Sequence, residues 1–297
     1  MIIDRVDIPN NRKFIMAQPD AGLGNRLRCI FSGLYFAKVY NVPLDILWLR
    51  ETCCNVDYTE LFEESDNIKV HTIYHLGYKN RYALKSFATD RFMKNIKKRL
   101  KYFDAGMTTD LYEAKGEEGI REEIDNNSAV CFMSSGQNCS DEHFAASRDM
   151  IKPSKEIAKR VDEIMMPYNG KRVIGIHIRR TDHVDAIANS SLESFIEIMQ
   201  RESKGDVVSN SDENAGTKTY FYLATDDSEI ERKLTEQFPC IPHISFSSEK
   251  SRNTTAGMKD AYVDMLCLSR CEKIYGSFES SFSKMAAVIG NVPLEIA

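Results

Sequence analysis

The sequence predicts an α/β protein of two doubly wound, Rossmann-type domains, residues 1–150 and 151–297. Three observations carry the prediction. Val173–Ile178 (VIGIHI) is a short, β-branched, nearly continuous apolar run, the pattern of a central strand covered on both faces. Runs of this kind alternate along the chain with amphipathic helical patterns, as they do in parallel sheets clothed by helices. A length of 297 residues suffices for two hydrophobic cores of ordinary domain size.

The first domain opens with Phe14–Ala17 (FIMA) as a strand. A loop, Gln18–Pro19–Asp20–Ala21, leads into Gly22–Leu23–Gly24–Asn25–Arg26. Leu27, Ile30, Phe31, Leu34 and Tyr35 then mark one face of a helix ending near Tyr40–Asn41, and Pro43 precedes a strand at Leu44–Leu49. Strand, glycine loop, helix, strand is the start of a doubly wound domain. The glycines allow close approach of the backbone to a ligand, and free amides at the helix start favour an anion or a sugar hydroxyl. An ordinary tight turn uses the same residues. GLGNR lacks the third glycine of the dinucleotide fingerprint and the GK[ST] of a P-loop.

Glu51–Ser65 reads as irregular, with a short helix at Tyr58–Phe62. Asp90–Phe103 reads as a basic amphipathic helix, Ala129–Met133 as a strand, and Ser134–Asn138 as a polar loop suited to a cleft. His71, His75 and His143 have no partners at metal-ligand spacing, so no metal site is expected.

In the second domain Ser154 is the expected cap of a helix at the junction between domains, with Ile157, Val161, Ile164 and Met165 on its apolar face. The strand Val173–Ile178 follows, then a helix over Leu192–Gln200. Residues 202–218 are polar and aperiodic and read as a flexible insertion. Tyr220–Ala224 is a strand, and Ser228 with Glu231 forms a capping box for a helix carrying Ile230, Leu234 and Phe238. A strand around Ile244–Phe246, a helix over Met258–Ser269, a strand at Lys273–Tyr275 and a helix over Lys284–Ile289 complete the chain.

Three of these strands end in polar loops: His177–Arg180, Thr225–Asp227 and Gly276–Ser283. A parallel sheet gathers such loops along its carboxyl edge, where ligands bind in open α/β sheets. The adjacent guanidinium groups of Arg179 and Arg180 suit phosphate oxygens, which they grip bidentately without ever deprotonating. Acids suit ribose hydroxyls or base edges, and small hydroxyls with free amides suit phosphate. Together they describe a nucleotide-diphosphate pocket. With neither a P-loop nor a dinucleotide fingerprint present, a nucleotide-sugar is favoured over ATP or NAD.

Composition narrows the classes. Apolar residues make up 42% and charged residues 28%, a globular balance, and the net charge of −5 (39 basic, 44 acidic) argues against a nucleic-acid partner. The opening MIIDRVDIPNNRKF has no apolar core of the signal-peptide kind, and no run reaches the roughly 18 residues of a membrane helix. Eight scattered cysteines lack zinc-ribbon spacing and read as free thiols. A cytoplasmic location is the corresponding expectation.

Three blocks, AGLGNRLRCIFSGLYFAKVY, IGIHIRRTDHV and YFYLATDDSEI with AYVDMLCLSRCEKIYGSFESSFSKMA, give the chain a family likeness. It resembles the GT-B fucosyltransferase superfamily, chiefly the branch of nodulation-type and core α1,6-fucosyltransferases, and more distantly the protein O-fucosyltransferases. The likeness covers the second half and the opening of the first. It implies a GT-B-like fold of two Rossmann-type domains facing across a cleft, with the acceptor on the first and a GDP-sugar on the second. It also implies an inverting glycosyltransferase that moves a sugar, L-fucose by this likeness, from GDP-fucose to a glycan or glycoconjugate hydroxyl, with no metal and no further cofactor. By motif position Arg179 holds the β-phosphate and stabilises departing GDP, supported by His177 and Arg180. Asp264 reads the guanine edge, Asp226 and Asp227 order the pocket, and Ser280, Ser281 and Phe282 lie against the diphosphate and guanosine. Gly22, Gly24, Asn25 and Arg26 form the sugar and acceptor side.

One position departs from the pattern. Core fucosyltransferases place an acceptor-activating glutamate ten residues after the motif histidine; here that residue is Ile187. Asp185 is the nearest acid and the expected general base, with Glu193 and Asp20 as alternatives. The departure keeps two other readings open: another nucleotide-sugar donor on the same fold, or a non-catalytic module binding a sugar-nucleotide or glycan. A sulfotransferase is disfavoured by the missing P-loop-like sequence.

Overall fold

The computed structural model describes residues 13–74, 105–132, 136–180, 188–204, 218–247 and 251–297. The chain divides into two compact units, Met1–Lys152 and Pro153–Ala297.

The first unit runs β1 (Phe14–Ala17), α1 (Leu23–Val39), β2 (Leu44–Arg50), α2 (Tyr58–Leu61), β3 (Ile68–Tyr74), β4 (Ala105–Met107), α3 (Thr109–Asn126), β5 (Ala129–Phe132) and α4 (Asp141–Ala145). The strands form a parallel sheet in the order β3-β2-β1-β5-β4. Nearly every residue of α1 from Leu23 to Ala37 is buried. Gly33 lets it approach the sheet: a Cβ there would lie 3.0 Å from Leu44 Cδ1 and 3.4 Å from the Ala17 Cβ.

Four elements of this unit, β3, β4, α3 and the one-turn α4, have no counterpart in the sequence reading. β3 (IKVHTIY) alternates apolar and polar residues because it is an edge strand, and β4 has only three residues. α3 is polar, with only Gly119, Ile120 and Ile124 buried, and Gly116 breaks it at φ 66°. The predicted helix 90–103 lies outside the described residues. The polar loop 134–138 is described from Gly136 on, where Asn138 is fully buried and its N–H donates to Ser32 Oγ at 2.9 Å.

The second unit runs α5 (Lys155–Met165), β6 (Arg172–Ile178), α6 (Leu192–Ser203), β7 (Thr219–Thr225), α7 (Ser228–Gln237), α8 (Thr255–Leu268), β8 (Lys273–Gly276), α9 (Ser281–Gly290) and β9 (Leu294–Ile296). Its parallel sheet has the order β7-β6-β8-β9. Ile174, Ile176 and Ile178 of β6 pack with Phe195, Met199, Phe221, Leu223, Leu234 and Tyr275 in one core. Each such side chain contributes about 1.5–3 kcal/mol by leaving water.

Ser154 caps α5 by accepting from the Ile157 N–H at 3.5 Å. Placed by sequence at the junction, α5 belongs to the second unit. Its Asp162 accepts from Arg270 and its Glu156 from Lys259, both at 2.6 Å.

Several sequence expectations for this unit are corrected. Residues 244–246 pair with no strand among the described residues; the Asp260 carboxylate takes the N–H groups of Phe246 (2.7 Å) and Ser247 (3.0 Å). The fourth strand is β9 instead. The cap of α7 is Asp227, whose Oδ1 accepts from Glu229 and Ile230 N–H at 2.9 and 3.1 Å, and not Ser228. The polar stretch 202–218 begins inside α6, where Glu202 pairs with Arg172 and accepts from the Tyr275 hydroxyl at 2.6 Å. Residues 205–217 lie outside the described residues. All eight cysteines are free thiols. No helix among the described residues is long and apolar enough to cross a membrane.

Candidate functional site

The register of the second sheet brings three predicted loops together. His177 of β6 lies opposite Ala224 of β7 and Gly276 of β8, and Ile178 opposite Thr225, so all three strands end at one level. The segments that follow are tied to one another. Arg179 N–H donates to Ser277 Oγ at 3.0 Å, Arg180 N–H to Asp226 Oδ1 at 2.8 Å, and Ser277 N–H to the His177 carbonyl at 3.1 Å.

His177 sits under this turn, 8% exposed, its ring stacked on Phe282 at 4.9 Å between centroids and its Nδ1 3.5 Å from Ser280 Oγ. Burial lowers its pKa to about 4. Asp226 opposes that shift, while the Arg179 and Arg252 charges add to it. A neutral imidazole therefore supports the turn while the positive charge is carried by arginines. The Gly276–Ser283 segment holds a non-glycine residue, Glu279, at φ 53°, a conformation sparsely occupied by L-residues. Ser280 is buried at the start of α9, and Ser281 and Phe282 are partly exposed in its first turn.

Asp264 lies on α8 beside a pocket of about 320 Å³. Tyr222, Ser228, Glu231, His243, Asp260 and Asp264 line it. The Tyr222 hydroxyl donates to Asp264 Oδ1 at 2.6 Å. The size is at the small end of small-molecule sites. Ser228 begins α7, the helix entered from the Thr225–Asp227 loop, so the pocket adjoins that strand end.

The first-unit candidates are placed differently. Arg26, expected to face a sugar, is fully buried and faces the fold. Its Nε donates to the Ala21 carbonyl (2.8 Å), Nη1 to the Leu49 carbonyl (2.8 Å) and Nη2 to Glu51 Oε1 (2.6 Å), and the guanidinium lies 4.8 Å from the Trp48 ring centroid. It clamps the loop before α1 to the end of β2. The strained residue of the loop is Ala21 (φ 64°), not a glycine; Gly22 is the extended N-cap of α1. Gly24 is buried and Asn25 partly exposed in the first turn. Asp20 is exposed, and its Oδ1 accepts from Ala21 N–H at 2.6 Å. Glu193 is exposed on α6. Asp185 and Ile187 lie outside the described residues.

Sequence reading missed Ser277, Tyr222, His243 and Arg252. Ser277 stood within a loop read as a unit, Tyr222 within an apolar strand, and His243 and Arg252 in segments without periodicity. The alternation FYLA in β7, which sets Tyr222 and Ala224 on the same face, was the available signal for Tyr222.

Solved structures share this fold. "NodZ alpha-1,6-fucosyltransferase soaked with GDP-fucose" matches with a TM-score of 0.61 at 19% identity, over 95% of this chain and 94% of that one. Fucosyltransferase NodZ from Bradyrhizobium matches with a TM-score of 0.60 at 19% identity, over 95% of both chains. POFUT1 in complex with GDP matches with a TM-score of 0.52 at 12% identity, over 96% of this chain and 98% of that one. The shared fold is the two-sheet α/β fold of GT-B type expected from the sequence. The family model of nodulation protein Z (NodZ) matches residues 11–296. With that match spanning nearly the whole chain, the protein belongs to the nodulation protein Z (NodZ) family.

Proposed function

We propose that this chain is an inverting, metal-independent glycosyltransferase that moves L-fucose from GDP-fucose to the hydroxyl of a glycan. The observation that carries the reading is the tied carboxyl edge of the second sheet. There two consecutive arginines, a neutral histidine and a serine-rich helix start are held at one level by the bonds of Arg179 to Ser277 and Arg180 to Asp226. Membership of the NodZ family supports it, as do the GDP and GDP-fucose complexes of the structures with this fold.

In this reading the Arg179 guanidinium holds the β-phosphate and takes up the charge that develops as the sugar–oxygen bond to GDP breaks. Arg180 adds a second cation, and His177 keeps the turn in place. Asp226 and Asp227 order the adjoining loop, Ser280, Ser281 and Phe282 lie along the diphosphate and ribose, and Asp264 reads the base. A fixed cation at the leaving group supplies what a divalent metal supplies elsewhere, so the mechanism needs no metal.

The first unit takes the acceptor. Gly22, Gly24 and Asn25 offer backbone and side chain at the helix start, and Arg26 holds that loop in shape. The proton of the acceptor hydroxyl goes to a carboxylate: Asp185, or Asp20, which stands beside the Arg26–Glu51 pair. Burial raises the Glu51 pKa against the lowering effect of Arg26, and neighbouring Asp20 raises it further.

Calorimetry with GDP, UDP and ADP tests the donor. GDP binds at least tenfold more tightly than the other two. Equal affinity for the three removes the reading, and binding without turnover across an acceptor panel favours the non-catalytic module that Ile187 keeps in play.

A further inference from the structure

Beside the base pocket is a group that the transfer mechanism does not use. Tyr222 is fully buried in the middle of β7, yet its hydroxyl reaches Asp264 Oδ1 at 2.6 Å. Burial, then the Asp264 carboxylate, push its pKa well above the ordinary phenol value, so the hydroxyl donates at every working pH. The ring of His243 stacks on Tyr222 at 5.1 Å between centroids with planes 16° apart. Its Nδ1 lies 3.4 Å from Glu231 Oε1 and 3.9 Å from Asp264 Oδ1. The segment carrying His243 is pinned in turn, because both oxygens of Asp260 are occupied by the N–H groups of Phe246 and Ser247.

The result is a carboxylate with one oxygen committed. Asp264 Oδ1 is fixed by Tyr222, whereas Oδ2 has no hydrogen-bond partner among the described residues. With a fifth of its side chain exposed at the pocket, Asp264 presents acceptor capacity in one direction. An ionised carboxylate only accepts, and Glu231 lines the same pocket. Such a wall suits a base edge bearing adjacent N–H donors. Guanine has two, N1–H and the 2-amino group; hypoxanthine lacks the second, and adenine offers an acceptor at N1.

Resting on the proposed GDP-sugar reading, we infer that Tyr222 and His243 are positioning residues that aim Asp264, so that nucleotide selectivity depends on the side chains that hold Asp264 as well as on Asp264 itself. Without the Tyr222 hydroxyl the Asp264 carboxylate turns toward His243, and the pocket loses its preference for two adjacent donors.

The test compares GDP, IDP and ADP by calorimetry on the intact wild-type chain, Tyr222→Phe and His243→Asn, with thermal melting of each. Losing a hydrogen bond to a charged group weakens GDP binding by about tenfold or more in Tyr222→Phe. ADP affinity stays within about twofold, so the GDP-to-IDP and GDP-to-ADP ratios fall together. His243→Asn, at a partly exposed position, shrinks the same ratios without loss of melting temperature and carries the test should Tyr222→Phe fail to fold. Wild-type ratios in the folded variants overturn the inference while leaving the donor reading intact. A wild type that does not prefer GDP overturns the donor reading itself.

Discussion

Arg179 and Ser277 join the ends of two strands: the Arg179 N–H donates to Ser277 Oγ at 3.0 Å, and that hydroxyl lies 3.3 Å from the His177 carbonyl. The next amide, Arg180 N–H, goes the other way, to Asp226 at the end of β7. Consecutive amides of one turn are thus spent on both neighbours of the central strand. This fixes the backbone of the arginine pair at the carboxyl edge of the sheet.

Ser277→Ala removes a hydroxyl that is fully buried. Stranding a partly buried N–H costs about 1–3 kcal/mol. The variant folds, melts several degrees lower, and binds GDP about three- to tenfold more weakly. GDP affinity unchanged from wild type would show that the tether does not shape the site.

Adjacent acids at the end of β7 separate by experiment. Asp227 caps α7, so Asp227→Ala lowers stability by about 1 kcal/mol, the usual cost of a lost cap, with the larger effect on melting temperature. Asp226 holds the Arg180 amide, so Asp226→Ala has its larger effect on GDP affinity. Melting curves and titrations of the pair check the division; equal effects on both readouts contradict it.

Much of this was legible in the chain, for physical reasons that also explain the failures. The strand Val173–Ile178 and the helix cap Ser154 announce themselves because continuous apolar runs and cap residues act locally, whereas the last helix begins at Ser281, ahead of the Lys284 start read from its apolar pattern. Asp227 displaced Ser228 as the cap because a carboxylate one residue earlier satisfies two amides at once. Arg26 was misplaced because sequence shows its charge but not Ala21, Leu49 and Glu51 converging on it. Tyr222 stands inside an apolar strand pattern, and its partner Asp264 lies 42 residues away.

Protonation of His177 gives a third test. Its pKa falls from 6.5 to about 4 on folding, so between those values the unfolded chain binds a proton that the native chain does not. Stability of the second unit therefore drops as pH falls through that window. Imidazole nitrogen shifts measured by NMR stay those of a neutral ring from pH 8 to pH 5. A midpoint near 6.5 contradicts the burial.

Acid sensitivity of the first unit centres on Glu117. Burial raises its pKa, but bonds from His143 (2.8 Å), the Ser140 N–H (2.9 Å), Arg121 (2.8 Å) and Tyr35 (3.0 Å) outweigh that and bring it from 4.5 to about 2. A depressed carboxyl contributes stability above its unfolded value and loses it as pH falls toward its folded one, here between about pH 5 and 2. Glu117→Gln costs of the order of 2 kcal/mol at pH 7 and flattens the acid limb of denaturant unfolding. An unchanged acid limb removes Glu117 as its source.

Release of GDP from GDP-fucose in the presence of a glycan acceptor and EDTA, compared between wild type and Arg179→Ala, is the most direct measurement. Wild type releases GDP and transfers fucose under EDTA, with no turnover of UDP-sugars. Arg179→Ala, folded and melting like wild type, loses about 10²–10³ of the rate, as removal of a group that stabilises transition-state charge does. Full activity of Arg179→Ala, or transfer that requires a metal, would contradict a mechanism built on the arginine turn.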